Sequence, residues 1–396
     1  MHRRRGDRLL PGSGRARPRR VRSRAVRWLI GVTGAAVVLA LVAVLGIGWY
    51  FSGVAVAVGS HRPDLVATVQ AVAADGSTVR LTSTVDTRRP EEQGLEWPGG
   101  YGRLGPVLAS TPTGVTRAFT PLVGRPVAGL AVGVDPADHP GDPRTALGLE
   151  FHDLTLRSDA GSLPAWYVPA AGVHGTWAVF VHGHDSGRRD ALRYLPMLHE
   201  RGLPVLVPTY RNDAGAAPSP DGIDHLGDTE WRDVEAAVRW ALDAGARDVV
   251  LLGWSMGAQV GLQFADRSPL RDAVRGLVLD SPVLDWGGVL THQGRRRGLP
   301  DPVTWVAERF VEVRLGTGLD RFDWVARAGD LRRPMFVVHS DADTSVPDGP
   351  SRALARARPD LVTYLDVPGA DHTRAWNVDP ARYRTALAAW LTRQGM

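Results

Sequence analysis

The chain has 396 residues, 44% of them hydrophobic, which supplies a sizeable core and argues against global disorder. It has no cysteine, so disulfides, thiolate nucleophiles and cysteine metal sites are excluded. Of 47 basic and 42 acidic residues, 11 arginines and one aspartate lie in residues 1–27; the remainder holds 36 against 41, a net charge of −5 that argues against nucleic acid as its partner.

The first predicted element is the uncharged run "WLIGVTGAAVVLALVAVLGIGWYF", Trp28 to Phe51. At about 1.5 Å per residue it is long enough to span a hydrocarbon core of roughly 30 Å. Trp28 begins it, and Trp49, Tyr50 and Phe51 end it, as aromatic anchors do at two interfaces. The reading is a basic tail over 1–27 that stays in the cytoplasm, a transmembrane helix over 28–51, and a C-terminal body outside. A cleaved signal peptide competes with this reading, with Ala55-Val56-Ala57 as the small-residue cleavage site.

Residues 52–148 are rich in Pro, Gly, Thr and Val. Two alternating runs flank Ala74-Asp75-Gly76-Ser77, which predicts a hairpin within a small β-rich accessory region. From 149 the pattern changes. "LEFHDLTLRSDAGSLPAWYVP" reads as two strands around a polar turn. Apolar strands then alternate with amphipathic helices, among them "RDALRYLPMLHERG", "DTEWRDVEAAVRWALDAG" and the closing "ARYRTALAAWLTR". That alternation predicts an α/β domain over 149–396, a mostly parallel sheet covered on both faces. Residues 285–330 are too few for a large lid and read as a few helices forming a short cap. Its Trp286, Trp305 and Phe310 fit an acyl site or core packing, and "RRR" at 295–297 reads as a solvated turn.

In such a sheet, ligands bind at the carboxyl ends of strands. "DVVLLGWSMG" puts Ser255 at the end of one strand, between Gly253 and Gly257. A serine hydroxyl is a weak nucleophile and needs a base and an exposed position; a tight strand-to-helix turn provides the exposure. The helix that follows offers the backbone N–H of Met256 where an oxyanion would form. "VFVHGHDSG" ends an earlier strand and offers the backbone N–H of His184 as a second donor. Metal binding by His182, His184 and Asp185 is the competing use of that loop. An acid, Asp341 or Asp343, follows "MFVVHS", and His372 follows "VTYLDVPGAD". The order Ser, Asp, His along the chain is that of the α/β-hydrolase fold.

Six pieces in order carry a resemblance: the His-Gly loop at 182–187, "PTYR" at 208–211, "GWSMG" at 253–257, "LVLDSP" at 277–282, "HSDADTSVP" at 339–347 and "GADH" at 369–372. With them, residues 150–396 resemble the α/β-hydrolase superfamily, in its esterase, monoglyceride-lipase and serine-aminopeptidase-like branch. The family pattern His-Gly-x-x-Asp-x-x-Val-Pro implies Asp343 as the acid, with His339-Ser340 departing from His-Gly. "NDAGAAPSP" after Tyr210-Arg211 departs from the usual glycines. The resemblance implies a membrane-anchored serine hydrolase that cleaves a carboxylic ester or related acyl bond. Ser255, His372 and Asp343 would be catalytic, and no metal, nucleotide or organic cofactor would be needed. An aminopeptidase or acyltransferase would use the same three residues. A non-catalytic envelope binding protein is the rival from another class.

Overall fold

The computed structural model describes residues 20–59, 64–171 and 175–396, with 20–25 as backbone alone; most of the basic tail, residues 1–19, lies outside the described residues. Helix α1 (Arg20–Ala55) contains the apolar run and outlasts it by four residues, since nothing in "SGVA" stops a helix. It is long and apolar enough to cross a membrane. Most of it is exposed, whereas Gly48 and Ser52, four residues apart on one face, are buried, as is Val56 just past its end.

The accessory region folds into a closed six-stranded barrel. Its strands are β1 (Ala67–Val72), β2 (Thr78–Thr82), β3 (Gln93–Trp97), β4 (Gly100–Ser110), β5 (Gly114–Val123) and β6 (Ala131–Asp135), in the order β1-β2-β5-β4-β3-β6. The predicted hairpin is β1–β2, with Gly76 at a positive φ of 79° in its turn. Closure leaves no free strand edge. Val69, Val79, Leu81, Leu95, Leu104, Phe119 and Val132 fill the interior. A Cβ on Gly102 would lie 2.3 Å from the Phe119 ring, so glycine is required there. The buried Arg117 donates to the carbonyl oxygens of Gly105, Arg89 and Glu91, and burial lowers its pKa to about 10.

A one-turn helix, α2 (Pro143–Leu147), is capped by Asp142 and leads into the second unit. This is an eight-stranded sheet of β7 (His152–Arg157), β8 (Ser162–Val168), β9 (Thr176–Val181), β10 (Val205–Pro208), β11 (Asp248–Trp254), β12 (Val274–Asp280), β13 (Met335–His339) and β14 (Val362–Asp366). The order is β14-β13-β12-β11-β9-β10-β8-β7, with β9 to β14 parallel and β7 and β8 antiparallel at one edge. Helices α3 (Leu195–Glu200), α4 (Trp231–Asp243), α5 (Met256–Arg267), α6 (Trp286–Arg296), α7 (Asp301–Leu315), α8 (Gly349–Ala357), α9 (Ala375–Val378) and α10 (Pro380–Arg393) follow in chain order. Along β9, Val179 and Val181 belong to one apolar cluster and Ala178 and Phe180 to another. Both faces are covered, which is why the parallel strands read as unbroken apolar runs. The fold is the α/β-hydrolase fold.

Two predicted details change. "RDALRYLPMLHERG" is not one helix but a 3-10 turn, Arg188–Ala191, followed by α3. Pro196 has no N–H and would clash with a preceding turn, so the helix starts beside it. In the cap, Trp286 is buried and donates from Nε1 to the Leu226 carbonyl, whereas Phe310 packs edge-on against Trp49 of α1 and Trp305 is 60% exposed.

Candidate active site

Ser255 sits between β11 and α5 with φ 50° and ψ −116°, a conformation that side chains other than glycine rarely adopt. The turn is this tight because strand and helix nearly touch. A Cβ on Gly253 would lie 2.6 Å from the Ala258 backbone, and one on Gly257 would lie 2.1 Å from the Val181 carbonyl oxygen. The turn is held from β12, since Ser255 N–H donates to the Asp280 carbonyl at 3.0 Å.

His372, on the loop after β14, brings Nε2 to 2.9 Å from Ser255 Oγ. Its Nδ1 lies 2.7 Å from Asp343 Oδ2. Asp343, after β13, is buried, and its Oδ1 accepts the N–H groups of Ser345 and Val346 at 2.8 Å each. Burial alone would raise the pKa of Asp343. Hydrogen bonds from His339, His372 and the Val346 backbone outweigh it and hold the carboxyl well below the usual range. Asp341, the alternative acid, is exposed and lies 3.5 Å from Ser340 Oγ and from Gly369 N–H. The structure thus brings Ser255, His372 and Asp343 together across three strand ends and leaves Asp341 outside.

The loop after β9 runs beside the serine: a Cβ on Gly183 would lie 3.4 Å from Ser255 Cβ. His182 is fully buried, with Nε2 2.7 Å from Asp213 Oδ2 and its ring stacked on Tyr210 at 4.3 Å. Burial alone would lower its pKa, but the Asp213 carboxylate raises it. Tyr210 Oη donates to the Gly183 carbonyl at 2.8 Å, so the "PTYR" segment braces this loop. The His184 side chain points elsewhere, towards the Ala57 carbonyl at 3.0 Å and Asp224 at 3.2 Å. The two histidines therefore diverge towards different carboxylates. Met256 begins α5 immediately after the serine.

Several residues that shape this site escaped the sequence reading. His339 is buried and lies within 3.2 Å of Asp343 Oδ2, with its Nδ1 on Ser351 Oγ at 2.7 Å. Its position in the "HSDAD" motif was the available signal. Ser281, with φ 45°, accepts Thr373 N–H at 3.0 Å, tying the histidine loop to β12. The buried Asp280 accepts from Tyr383 at 3.0 Å and from Tyr194 at 3.2 Å; burial raises its pKa. The barrel also reaches in. Arg89 pairs with Asp371, next to His372, and Arg374 binds Gln93. A cleft of about 620 Å³ runs between the units, lined by Glu96, Asp135 and Pro136 of the barrel and by Trp166, Trp254 and Thr373 of the sheet unit. Trp254 and Thr373 adjoin Ser255 and His372 in the chain, but none of Ser255, His372 and Asp343 lines the cleft.

An uncharacterized protein of Mycobacterium tuberculosis, found in two strains, is 27% identical to this chain over 248 residues, 61% of this chain and 79% of its own. Among solved structures, an esterase of Pyrococcus furiosus superposes with a TM-score of 0.53 and 19% identity, covering 65% of this chain and 95% of the esterase. A second crystal form of that esterase gives 0.52, over 64% of this chain. At such identity the likeness is one of fold. Residues 68–133, within the barrel, match a family described as a domain of unknown function. Residues 178–389, more than half of the sequence, match the alpha/beta hydrolase family, to which this chain belongs.

Proposed function

We propose that the protein is a membrane-anchored, extracytoplasmic serine hydrolase that cleaves a carboxylic ester or related acyl bond. The observation that carries this reading is the hydrogen-bonded chain Ser255 Oγ, His372, Asp343, with distances of 2.9 and 2.7 Å. Ser255 Oγ attacks the acyl carbonyl while His372 Nε2 takes its proton. Asp343 holds the imidazole by Nδ1 and stabilises its charge. The backbone N–H groups of Met256 and His184 stabilise the oxyanion. His372 then delivers the proton to the leaving group, and water attacks the acyl-enzyme by the same route in reverse. The chemistry draws on no cofactor. The anchor is α1, with the basic tail of 1–27 in the cytoplasm and residues 52–148 and 149–396 outside, as an arginine-rich flank favours.

Labelling by a fluorophosphonate tests the reading. Ser255→Ala and His372→Ala should each abolish labelling and ester turnover. The double variant should lose little more than either single one, because the two residues act as a unit. A folded Ser255→Ala protein that still turns over esters at the wild-type rate would sink it and favour a binding role for the cleft.

A further inference from the structure

Asp371, directly before His372, is a meeting point of three parts of the chain. Its Oδ1 accepts both the N–H and the hydroxyl of Thr344, each at 2.8 Å, and Thr344 directly follows Asp343. Its Oδ2 pairs with Arg89 of the barrel. One carboxylate therefore ties the histidine loop to the acid loop, and both to the barrel. The pair is mostly buried, with Arg89 17% and Asp371 14% exposed. Burial would raise the pKa of Asp371. The backbone N–H groups of Thr344 and His372, the Thr344 hydroxyl and the Arg89 charge outweigh it and hold the carboxyl below the usual range, so it stays ionised at neutral pH.

Arg89 lies in the loop between β2 and β3, and the barrel holds that loop from within. The Arg89 and Glu91 carbonyls accept from the buried Arg117 at 2.6 and 2.7 Å. Burying a guanidinium is costly without partners, and here two of its partners are the carbonyls of the loop that presents Arg89. The buried Thr87 donates to the Thr82 carbonyl at 2.9 Å, and Arg89 Nε lies 3.1 Å from Asp86 Oδ1. On the other side, the Thr344 carbonyl lies 3.2 Å from His292 Nε2 of α6, so the cap leans on the same acid loop.

The bond from His372 Nδ1 to Asp343 joins loops 29 residues apart. Asp343 is fixed by its own turn, through the N–H groups of Ser345 and Val346. His372 belongs to no helix or strand, so its imidazole stays where the loop is held. Thr373 N–H on Ser281 Oγ holds one side, and Asp371 holds the other. We propose that the barrel is a working part of the active site: Arg89, acting through Asp371, is a positioning residue that keeps the acid and histidine loops at the separation the His372–Asp343 bond needs. The expected effect on turnover rests on the hydrolase reading; the effect on the bond itself does not. Through Arg89 the barrel, which matches a domain of unknown function, gains a part in the reaction.

Full-length Arg89→Met, Arg89→Lys, Asp371→Asn and Asn377→Ala are compared with wild type. Asn377 is the control, since it joins the same two units through the Glu92 and Pro136 carbonyls. Hydrolysis of p-nitrophenyl butyrate gives kcat and KM. One-dimensional proton spectra give the far-downfield resonance of His372 Nδ1–H, identified by its absence in Asp343→Asn. Arg89→Met and Asp371→Asn should each lower kcat by about 10²-fold, the loss that a misplacement of roughly 1 Å brings, with KM little changed. Their resonance should move upfield and broaden. Arg89→Lys keeps the charge and should recover most of both. Asn377→Ala should keep both, even if it melts earlier. A resonance unchanged in Arg89→Met overturns the proposal, whether or not kcat falls. Equal losses of kcat in Asn377→Ala and Arg89→Met overturn it too, because a weakened interface then explains them. A wild type that hydrolyses no ester and takes no fluorophosphonate sinks the hydrolase reading. The resonance alone then decides: shifted in Arg89→Met and kept in Asn377→Ala, it supports the positioning role, and alike in both it overturns that role. Arg89→Gln takes the place of the methionine variant if that one does not fold.

Discussion

At the scale of single residues, backbone geometry and carboxylate environment do the arranging. Gly257 has no room for a methyl group, because the Val181 carbonyl would be 2.1 Å away. Gly257→Ala should lower stability by about 1–3 kcal/mol, as overpacking does. It should also reduce fluorophosphonate labelling, because the turn carrying Ser255 must open; an unchanged melting temperature would contradict the close approach. Asp343→Asn should cut turnover by about 10⁴, the loss seen when the acid of a well-studied triad is replaced. Asp341→Asn should be mild, and steady-state kinetics on both variants would expose the reverse ranking. Asp190, beside the cleft, has its pKa raised to about 6, chiefly by burial. A carboxyl raised above its unfolded value of about 3.9 binds its proton more tightly when folded, so its cost to stability grows as pH rises from 4 through 6. Asp190→Asn should therefore gain on wild type between pH 5 and pH 7.5, by about 1.4 kcal/mol. Melting curves at the two values would check the sign.

At the scale of elements, α1 is the least ordinary piece. Its C-terminal end is part of the body: Ser52 is buried, as is Val56 just after the helix, and Asp224 N–H donates to the Val56 carbonyl at 3.0 Å. The next residue, Ala57, holds the His184 side chain. Cleavage at Ala55-Val56-Ala57 would remove a buried core residue and loosen the loop beside Ser255. The mature protein should therefore retain its N-terminal helix. Protease added to intact cells should degrade the body and leave a short membrane-bound stub. A secreted form whose N-terminal sequence begins near Val58 would favour the signal peptide.

At the scale of the whole molecule, the barrel and the sheet unit are joined by polar contacts around the histidine loop. Arg374 is nearly buried, binds Gln93 and lies 3.4 Å from Asp86 of the barrel side. Asn377 Nδ2 donates to the carbonyls of Glu92 and Pro136 at 3.1 and 2.9 Å. Removing a buried charge from such a network leaves its partners unsatisfied, typically at 3–5 kcal/mol. Arg374→Met should split one melting transition into two, as barrel and sheet unit separate, and should lower kcat through the loop that bears His372. Calorimetry showing a single unshifted transition would mean that the contacts do not couple the units.

What the sequence by itself determined is what depends on neighbours in the chain. Strand and helix periodicity, the apolar length of α1, the hairpin turn at Gly76 and the fold class all follow from local patterning, and the structure has them. Ser255, Asp343 and His372 were legible as candidates because each lies in a short motif at a strand end. Tertiary structure decided what joins distant segments. No local signal marks that β6 returns to β1 to close a barrel, that Gly48 makes room for Val306, or that Arg89 reaches Asp371 across 282 residues. His339 was read only as the first residue of a motif, with no contact assigned to it, since its contact with Asp343 depends on how the turn after β13 folds back. A glycine, an arginine or a histidine reads the same in sequence whether it packs, pairs or stays in water. Which of these it does is set by the surface that folding brings against it.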